Sequence, residues 1–286
     1  GPPGGARGAG AARKGNLVVM GGRGSGKSSL CRRAAAVDKR LGLLPLDELI
    51  QFEAYGRSVE EIVAERGWPG FRDLEFEVAE KAGSMPGWAL VDCGGGAHPA
   101  PPVLLILPPP CPPPPPAAGP PDLGADGPAG HFGPYPPGSL ALPPAGIVVD
   151  LDADGEEVYS DRKVQALKRN GLVVYVRRPV AYLEERIRRK EKKLGGNSQR
   201  PQLSASKSFQ AIMERRDPWY AEAADLVLDG CTSSGAPVPK EELVARMLEF
   251  YYAESGNKPD LRKGCKMARS YYGVLGHLGA SIPMPL

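Results

Sequence analysis

The chain has 286 residues, of which 42% are hydrophobic, and a formal net charge of +3. This length allows one large globular domain or two small ones. So small a net charge argues against nucleic acid or an anionic membrane as a partner. No apolar run approaches the roughly 20 residues of a membrane-spanning helix, so we expect partners other than nucleic acid and membranes.

Composition divides the chain into five segments. Residues 1–14 are rich in Gly, Ala and Pro, which predicts disorder. Residues 15–96 and 146–255 have the composition of a globular domain, and we expect them to be two parts of one domain. Between them, residues 97–145 form a Pro-rich low-complexity insert. Residues 256–286 have no clear pattern and are expected to form a tail.

The first motif lies in residues 17–30, LVVMGGRGSGKSSL, which contain the spacing G-x-x-x-x-G-K-[ST]. Its four leading apolar residues predict a buried strand, and an Ala-rich helical stretch follows. Glycines let successive N–H groups point into one concavity, and a helix N-terminus adds positive potential to it. Lys27 would reach the outer phosphates, and Ser28 offers a hydroxyl to Mg²⁺. The motif predicts a nucleotide phosphate site formed by Gly21, Gly24, Ser25, Gly26, Lys27, Ser28 and Ser29.

Two further strands are expected before residue 97. One precedes Asp47 in the stretch LLPLDELI, and the other is residues 88–92, WALVD, which three glycines (Gly94, Gly95 and Gly96) follow closely. Between these strands, residues 70–75, GFRDLE, open a helix. Glycines directly after a strand let backbone amides approach a ligand without obstruction by side chains.

The insert at 97–145 holds more than half of the 32 prolines of the chain and no Lys, Arg or Glu. Proline fixes φ and removes a backbone donor, so the insert cannot form a helix or a central strand. Three interpretations stay open. The insert is a disordered or polyproline-like loop, an unspliced intron or recent insertion, or a Pro-rich recognition segment for a partner domain.

Strands and helices alternate after the insert. Residues 147–151 are expected to form an exposed strand or loop, and residues 172–176, LVVYV, a buried parallel strand. The other expected elements are helices at 163–169, 180–193, 209–223 and 240–252 and a short strand at 226–228. This alternation predicts an α/β fold with a parallel sheet.

Taken together, the motifs resemble those of shikimate kinase. They are, in order, the glycine-rich phosphate loop, D-E-L-I, G-F-R-D-L-E, G-G-G after a strand, R-P at Arg200, and E-R-R-x-P-x-Y at residues 214–220. The resemblance covers roughly residues 15–252, apart from the insert. It implies the P-loop kinase fold, in which helices flank a parallel five-stranded sheet. A substrate-binding subdomain near residues 47–80 and a mobile lid near residues 195–207 complete that fold.

The resemblance also implies a role for each motif residue. Arg72 and Arg216 stand where the family binds the carboxylate of shikimate, and a guanidinium fork suits a carboxylate. Asp47 would bind the ring hydroxyls and accept the proton of the attacking one. Arg200 would close over the phosphates and, with Lys27, stabilise the transferring phosphoryl group. The backbone amides of Gly94, Gly95 and Gly96 would contact the substrate.

One position departs from the family pattern. The family has D-x-D where this chain has Pro45-Leu46-Asp47, so the first carboxylate, which supports Mg²⁺ through water, is absent. Ligands gather at the carboxyl ends of parallel strands, and Asp92 ends such a strand. We therefore expect Ser28 and Asp92 to support the metal. The alternative is that Asp92 only pairs with a neighbour such as Lys27.

The resemblance thus implies an ATP- and Mg²⁺-dependent kinase that phosphorylates the 3-hydroxyl of shikimate in the chorismate pathway to the aromatic amino acids. Two alternatives remain: a related P-loop kinase of the gluconate type, and a non-catalytic shikimate-kinase-like binding protein. A monomer is expected. The Ala/Gly/Pro-rich composition suggests a plant or alga, and hence a plastid; otherwise the protein would be cytoplasmic.

Overall fold

The computed structural model describes residues 14–94, 147–153, 156–193 and 208–259. The proposed N-terminal disorder at 1–13, the insert at 97–145 and the lid at 195–207 lie outside these residues, as does most of the tail. Gly95, Gly96 and Arg200 also lie outside them.

The strands of the described residues form one five-stranded parallel sheet and one hairpin. The sheet order is β2-β3-β1-β6-β7, and β4 pairs with β5 in the antiparallel hairpin. The strands are β1 (Asn16–Met20), β2 (Gly42–Pro45), β3 (Ala89–Asp92), β4 (Val149–Leu151), β5 (Glu157–Tyr159), β6 (Gly171–Arg177) and β7 (Leu226–Asp229).

Helices cover both faces of the sheet, as the alternating pattern predicts. Two clusters of buried apolar side chains, one on each side, form the core. The helices are α1 (Lys27–Val37), α2 (Leu46–Glu53), α3 (Val59–Gly83), α4 (Asp161–Lys168), α5 (Val180–Lys193), α6 (Phe209–Ala223) and α7 (Lys240–Ser255).

The central strand β1 carries the continuous apolar pattern of a strand that is buried on both faces. All five of its residues are buried, and it pairs with β3 on one side and β6 on the other. Val18 lies opposite Val91 in β3 and Val173 in β6. The predicted five-stranded parallel sheet is therefore confirmed.

Helix α3 presents the substrate-side residues, and it consists of two segments. Ser58 caps the first with a reciprocal capping box to Glu61, and Gly67 (φ 69°) breaks the helical geometry. The second segment therefore begins next to Pro69, a residue that the first turn of a helix tolerates well. This break places the GFRDLE motif in the first turns of a new helix segment, as its sequence predicts.

The interpretation of residues 147–151 as exposed is wrong for residues 147–149. Ile147, Val148 and Val149 are buried, and they pack in the same core cluster as α3. The carbonyl of Val149 also accepts a hydrogen bond from Nζ of the fully buried Lys163 at 2.8 Å. The cause is the β4–β5 hairpin, which packs residues 147–149 against α3 and α4.

Candidate active site

The phosphate loop runs from the carboxyl end of β1 into the N-terminus of α1. Gly26 is the N-cap of α1 and has φ 94°, a left-handed conformation that glycine adopts without strain. A Cβ atom there would lie 2.9 Å from Nη1 of Arg186. Lys27 follows as the first helical residue and is 3% exposed. The loop thus combines the N-terminus of a helix with a buried cation, a combination suited to phosphate.

Arg178 contacts the backbone of the phosphate loop. Nε of Arg178 donates to the carbonyl of Ser25 at 2.9 Å, and Nη1 donates to the carbonyl of Gly230 after β7. The guanidinium also lies 4.5 Å from the ring centroid of Tyr182 in α5. Arg178 therefore joins the phosphate loop to two other segments of the fold.

Arg178 also lines a cleft of about 670 Å³ at the carboxyl ends of β6 and β7. The cleft extends between α6 and the segment after β7, with Met213, Asp217 and Thr232 among its lining residues. Because Arg178 contacts both the cleft and the phosphate loop, the two form neighbouring parts of one site.

Asp92 ends β3 directly beside the phosphate loop. It pairs in register with Val19 in β1 and with Pro45 in β2. Its side chain is buried, and Oδ1 has no hydrogen-bond partner among the described residues. Burial raises the pKa of Asp92, while the positive charge of Lys27 and a hydrogen bond from Ser28 act in the opposite direction.

These residues fit a divalent cation. A buried carboxylate oxygen without a partner lies beside the Ser28 hydroxyl, and Mg²⁺ needs only one or two protein carboxylates when phosphates and water supply its other ligands. No group of three or more His, Cys, Asp or Glu side chains in the described part of the chain could hold a metal by itself.

Asp47 and Gly94 lie in direct contact. Asp47 is in the first turn of α2, and Gly94 (φ 65°) follows β3. A Cβ atom at Gly94 would lie 2.0 Å from Oδ1 of Asp47, so no other residue fits there without a rearrangement. The structure thus brings together two of the predicted substrate-binding positions. The other two glycines of the motif, Gly95 and Gly96, lie outside the described residues.

Arg72 is a buried cation with unused donors. It is 1% exposed, and its Nη1 donates to Oε2 of Glu75 one turn further along α3, at 2.6 Å. Its Nε and Nη2 are buried and have no hydrogen-bond partner among the described residues. Glu75 also accepts from Lys163 at 3.1 Å. Two donor nitrogens of one guanidinium are thus left available to an anionic ligand.

Arg216 lies in α6 and is fully buried. Its Nε donates to Oε2 of Glu157 at 3.0 Å, and its Nη2 donates to Oε1 of the same carboxylate. Burial raises the pKa of Glu157, but the charge and hydrogen bonds of Arg216, the charge of Arg72 and a hydrogen bond from Arg215 outweigh burial and lower the pKa overall. The two arginines that the sequence predicts as a carboxylate site thus act on one carboxylate, which belongs to the protein itself.

A sequence model of the family described as shikimate kinase matches residues 23–103 and 152–251, well over half of the chain. The chain belongs to the shikimate kinase family. Members of this family are ATP-dependent kinases that phosphorylate a hydroxyl group. The predicted family and enzyme class are therefore confirmed, and neither the gluconate-type kinase nor the non-catalytic binding protein is favoured.

Relatives in this family match most of the chain. The shikimate kinase of Leptospira biflexa serovar Patoc is 26% identical over 235 residues, which cover 82% of this chain and 94% of that protein. That of Leptospira borgpetersenii is 27% identical over 216 residues, 75% of this chain and 88% of that protein. A solved shikimate kinase from Acinetobacter baumannii, in complex with shikimate, is 16% identical and covers 84% of this chain and 93% of its own, with a TM-score of 0.48.

Sequence reasoning missed three residues that shape the site of this shikimate kinase family member. They are Arg178 behind the phosphate loop, Lys163 beside Glu75, and Glu157 on Arg216. The only sequence signal for Arg178 is its position, one residue after a buried strand. Lys163 and Glu157 follow the insert, in a stretch that the quoted motifs do not include. No helix in the described ranges is long and apolar enough to cross a membrane.

Proposed function

We propose that this protein transfers the γ-phosphoryl group of ATP to the 3-hydroxyl of shikimate. The observation that carries the proposal is the pair of buried arginines, Arg72 and Arg216, whose charges meet at one carboxylate. Arg72 keeps two buried nitrogen donors without a partner among the described residues, so such a pair suits a ligand that brings a carboxylate of its own. Membership of the shikimate kinase family favours shikimate as that ligand.

The nucleotide would bind along the phosphate loop. The loop residues Gly21, Gly24, Ser25, Gly26 and Ser29 would supply the backbone nest, and Lys27 would contact the β- and γ-phosphates. The cleft of about 670 Å³ next to Arg178 would take the nucleoside. Ser28 and Asp92 would hold Mg²⁺, which neutralises charge on the phosphates when it is bound.

Asp47 would act on the acceptor hydroxyl. In the transfer, the 3-hydroxyl oxygen of shikimate forms a bond to the γ-phosphorus while the bond from that phosphorus to the bridging oxygen of ADP breaks. The hydroxyl proton passes to the carboxylate of Asp47. Lys27 and Arg200 stabilise the charge on the transferring group, which is the main contribution of a protein to such reactions.

We propose that the kinase domain consists of residues 15–96 and 146–255, with 97–145 as an insertion into it. The family match, which leaves out residues 104–151, supports this division. We further propose that the protein works as a monomer in the chorismate pathway, in a plastid if its source is a plant or an alga. Gly94, Gly95 and Gly96 precede the insertion directly and would contact the substrate.

A coupled assay of ADP release with ATP and Mg²⁺ tests the proposed function. We expect turnover with shikimate and none with gluconate at equal concentration. Lys27→Met serves as the control for contaminating kinases, because it removes the phosphate-binding cation and leaves the loop backbone in place. Turnover with gluconate alone, or equal turnover by wild type and Lys27→Met, would contradict the proposal.

A further inference from the structure

The side chain of Glu157 occupies the place that the proposed function assigns to a substrate carboxylate. Both of its carboxylate oxygens accept hydrogen bonds from Arg216, in the two-pronged geometry in which a guanidinium binds a free carboxylate. The side chains of Glu157 and Arg216 are both 0% exposed. The contact is therefore a buried ion pair rather than a surface one.

The charge of Arg72 also acts on this carboxylate, but its Nη1 donates to Glu75 instead. Its charge contributes to lowering the pKa of Glu157, yet its buried Nε and Nη2 have no hydrogen-bond partner among the described residues. Glu157 thus uses donors of Arg216 and leaves Nε and Nη2 of Arg72 without a partner among the described residues. A free carboxylate is not tied to the chain and is the kind of ligand that these remaining donors would accept.

The hairpin that carries Glu157 has anchors of its own. Asp150 in β4 accepts hydrogen bonds from Arg162 at 2.9 Å and from Ser160 at 2.8 Å, and Lys163 donates to the carbonyl of Val149. None of these contacts involves Glu157. Its side chain can therefore leave Arg216 while the hairpin stays in place.

A second partner is already in contact with Glu157. Nη2 of Arg215 donates to Oε2 of Glu157 at 2.8 Å, and the Arg215 side chain is 29% exposed. A carboxylate that loses Arg216 can therefore keep a charged partner nearer the surface. This alternative lowers the cost of displacement, because an unpaired buried carboxylate would be strongly unfavourable.

We propose that Glu157 is a specificity-determining residue that holds the carboxylate site of the free enzyme and that the substrate carboxylate must displace from Arg216. This inference rests on the proposed function. A ligand with a carboxylate replaces the charge that it removes from Arg216. A neutral polyol of the same shape would leave that buried cation without a counter-charge and is therefore rejected.

Calorimetric titration of shikimate into the full-length protein tests this displacement. Glu157→Gln keeps the shape and removes the charge, and Glu156→Gln is the matched control, since Glu156 is the exposed neighbour whose carboxylate also pairs with Arg215. We expect Glu157→Gln to bind shikimate roughly tenfold more tightly than wild type, because the competing occupant is removed. We expect ATP affinity to stay unchanged, and Glu156→Gln to behave as wild type.

A thermal unfolding scan separates competition from a purely structural role. If Glu157 competes with the substrate, Glu157→Gln lowers the melting temperature and raises shikimate affinity together. If Glu157 only positions Arg216, both quantities fall. Should Glu157→Gln not fold, Glu157→Asp, which keeps the charge and shortens the reach, is expected to show a smaller gain in affinity.

The outcomes also separate this inference from the proposed function. Wild type that binds shikimate, with no gain in either Glu157 variant, overturns the displacement and leaves the function standing. No binding of shikimate by wild type or by either variant overturns both. Binding by Glu157→Gln alone supports the displacement and shows that wild type is blocked by its own side chain.

Discussion

Pro45 and Asp92 occupy paired positions at the carboxyl ends of β2 and β3. The family pattern has a carboxylate where Pro45 stands, and this chain has a buried carboxylate on the strand directly beside it. Asp92 Oδ1 has no hydrogen-bond partner among the described residues, and the Ser28 hydroxyl lies against the same side chain. We propose that this carboxylate, about 4.8 Å away on the neighbouring strand, takes the role of the missing one.

This relationship makes a prediction about the metal. Asp92→Ser is expected to raise the Mg²⁺ concentration needed for half-maximal turnover and to lower the maximal rate. The reason is that the proposed Mg²⁺ site then loses its one assigned carboxylate. Adding Pro45→Asp should restore part of both. Turnover measured against Mg²⁺ concentration checks this, and an unchanged Mg²⁺ dependence in Asp92→Ser would show that the exchange between strands does not occur.

Asp92→Ser should lower activity but increase the stability of the fold. Asp92 is a buried carboxylate with an unsatisfied oxygen, and removing such a group relieves a cost of about 1–3 kcal/mol. Asp92→Ser is therefore expected to unfold at a higher denaturant concentration than wild type in the absence of nucleotide and metal. A lower midpoint would mean that the hydrogen bond from Ser28 and the charge of Lys27 stabilise Asp92 by more than its unsatisfied oxygen costs.

Lys27 should be needed for transfer but not for folding. Lys27→Met keeps the length of the side chain and removes its charge, and the loop backbone remains anchored by Arg178. We expect turnover to fall to the background of the assay while the far-ultraviolet circular dichroism spectrum and the unfolding midpoint stay close to wild type. Near-normal turnover of the purified variant would remove Lys27 from the site.

Arg72→Ala should weaken shikimate binding far more than ATP binding. Loss of the two available donors removes charged hydrogen bonds worth roughly 1.5–3 kcal/mol each to the substrate carboxylate. Glu75 keeps Lys163 as its partner, so the fold should survive. Arg57→Ala, at an exposed position in the same subdomain, is the control for titrations with both ligands. Equal losses for shikimate and ATP would indicate misfolding.

Arg216 calls for a different variant, because its removal would leave the carboxylate of Glu157 buried without its main partner. Arg216→Ala alone is expected to destabilise the fold by roughly 3–5 kcal/mol. The double variant Arg216→Ala with Glu157→Ala should recover much of this loss and still bind shikimate weakly. Denaturant unfolding of the three variants, arranged as a double-mutant cycle, gives the interaction free energy directly.

The lowered pKa of Asp150 predicts how the stability of the fold depends on pH. Burial raises its pKa, but hydrogen bonds from Arg162 and Ser160 and the charge of Lys163 outweigh burial and lower the pKa from 3.8 to about 2. A carboxyl whose pKa falls on folding stabilises the fold above its unfolded pKa, and that contribution is lost as pH falls toward the folded pKa. Asp150→Asn should therefore be less stable than wild type at pH 7, and the difference should shrink between about pH 5 and about pH 2.

The insert gives a prediction that does not depend on any side chain. Removing residues 97–145 joins Gly96 to Gly146, and the family match resumes shortly afterwards at residue 152. We expect the shortened protein to be at least as active and as stable as the full chain. Transcripts that always include this segment, together with loss of activity on its removal, would contradict the view that it is an unspliced intron or a recent insertion.

The parts of the site that the sequence predicted are those that local patterns encode. The phosphate loop, the strand before it and the glycine after β3 depend on residues within a few positions of one another. The contact between Asp47 and Gly94 follows from the rule that parallel strands end at the same edge of the sheet. Membership of the family could likewise be predicted, because the motifs occur in a fixed order.

Contacts between distant residues could not be predicted in this way. Glu157 and Arg216 are 59 residues apart, and Arg178 and Ser25 are 153 apart, so no periodicity connects them. The burial of residues 147–149 depends on a hairpin that packs against α3, which is far away in sequence. The assignment of Arg216 to a substrate carboxylate stays a prediction, and only the folded chain reveals that Arg216 contacts the carboxylate of Glu157.

Arg178 has a consequence for how tightly the nucleotide can bind. Because its guanidinium is hydrogen-bonded to the carbonyls of Ser25 and Gly230 and stacked on Tyr182, contacts within the protein itself hold the shape of the phosphate loop. The loss of backbone freedom in the loop therefore accompanies folding rather than association. A preorganised loop loses less free energy to ordering when it binds, so more of its interaction free energy appears as affinity. Because Arg178 also connects the loop to the end of β7, bound phosphate stabilises both segments against thermal unfolding.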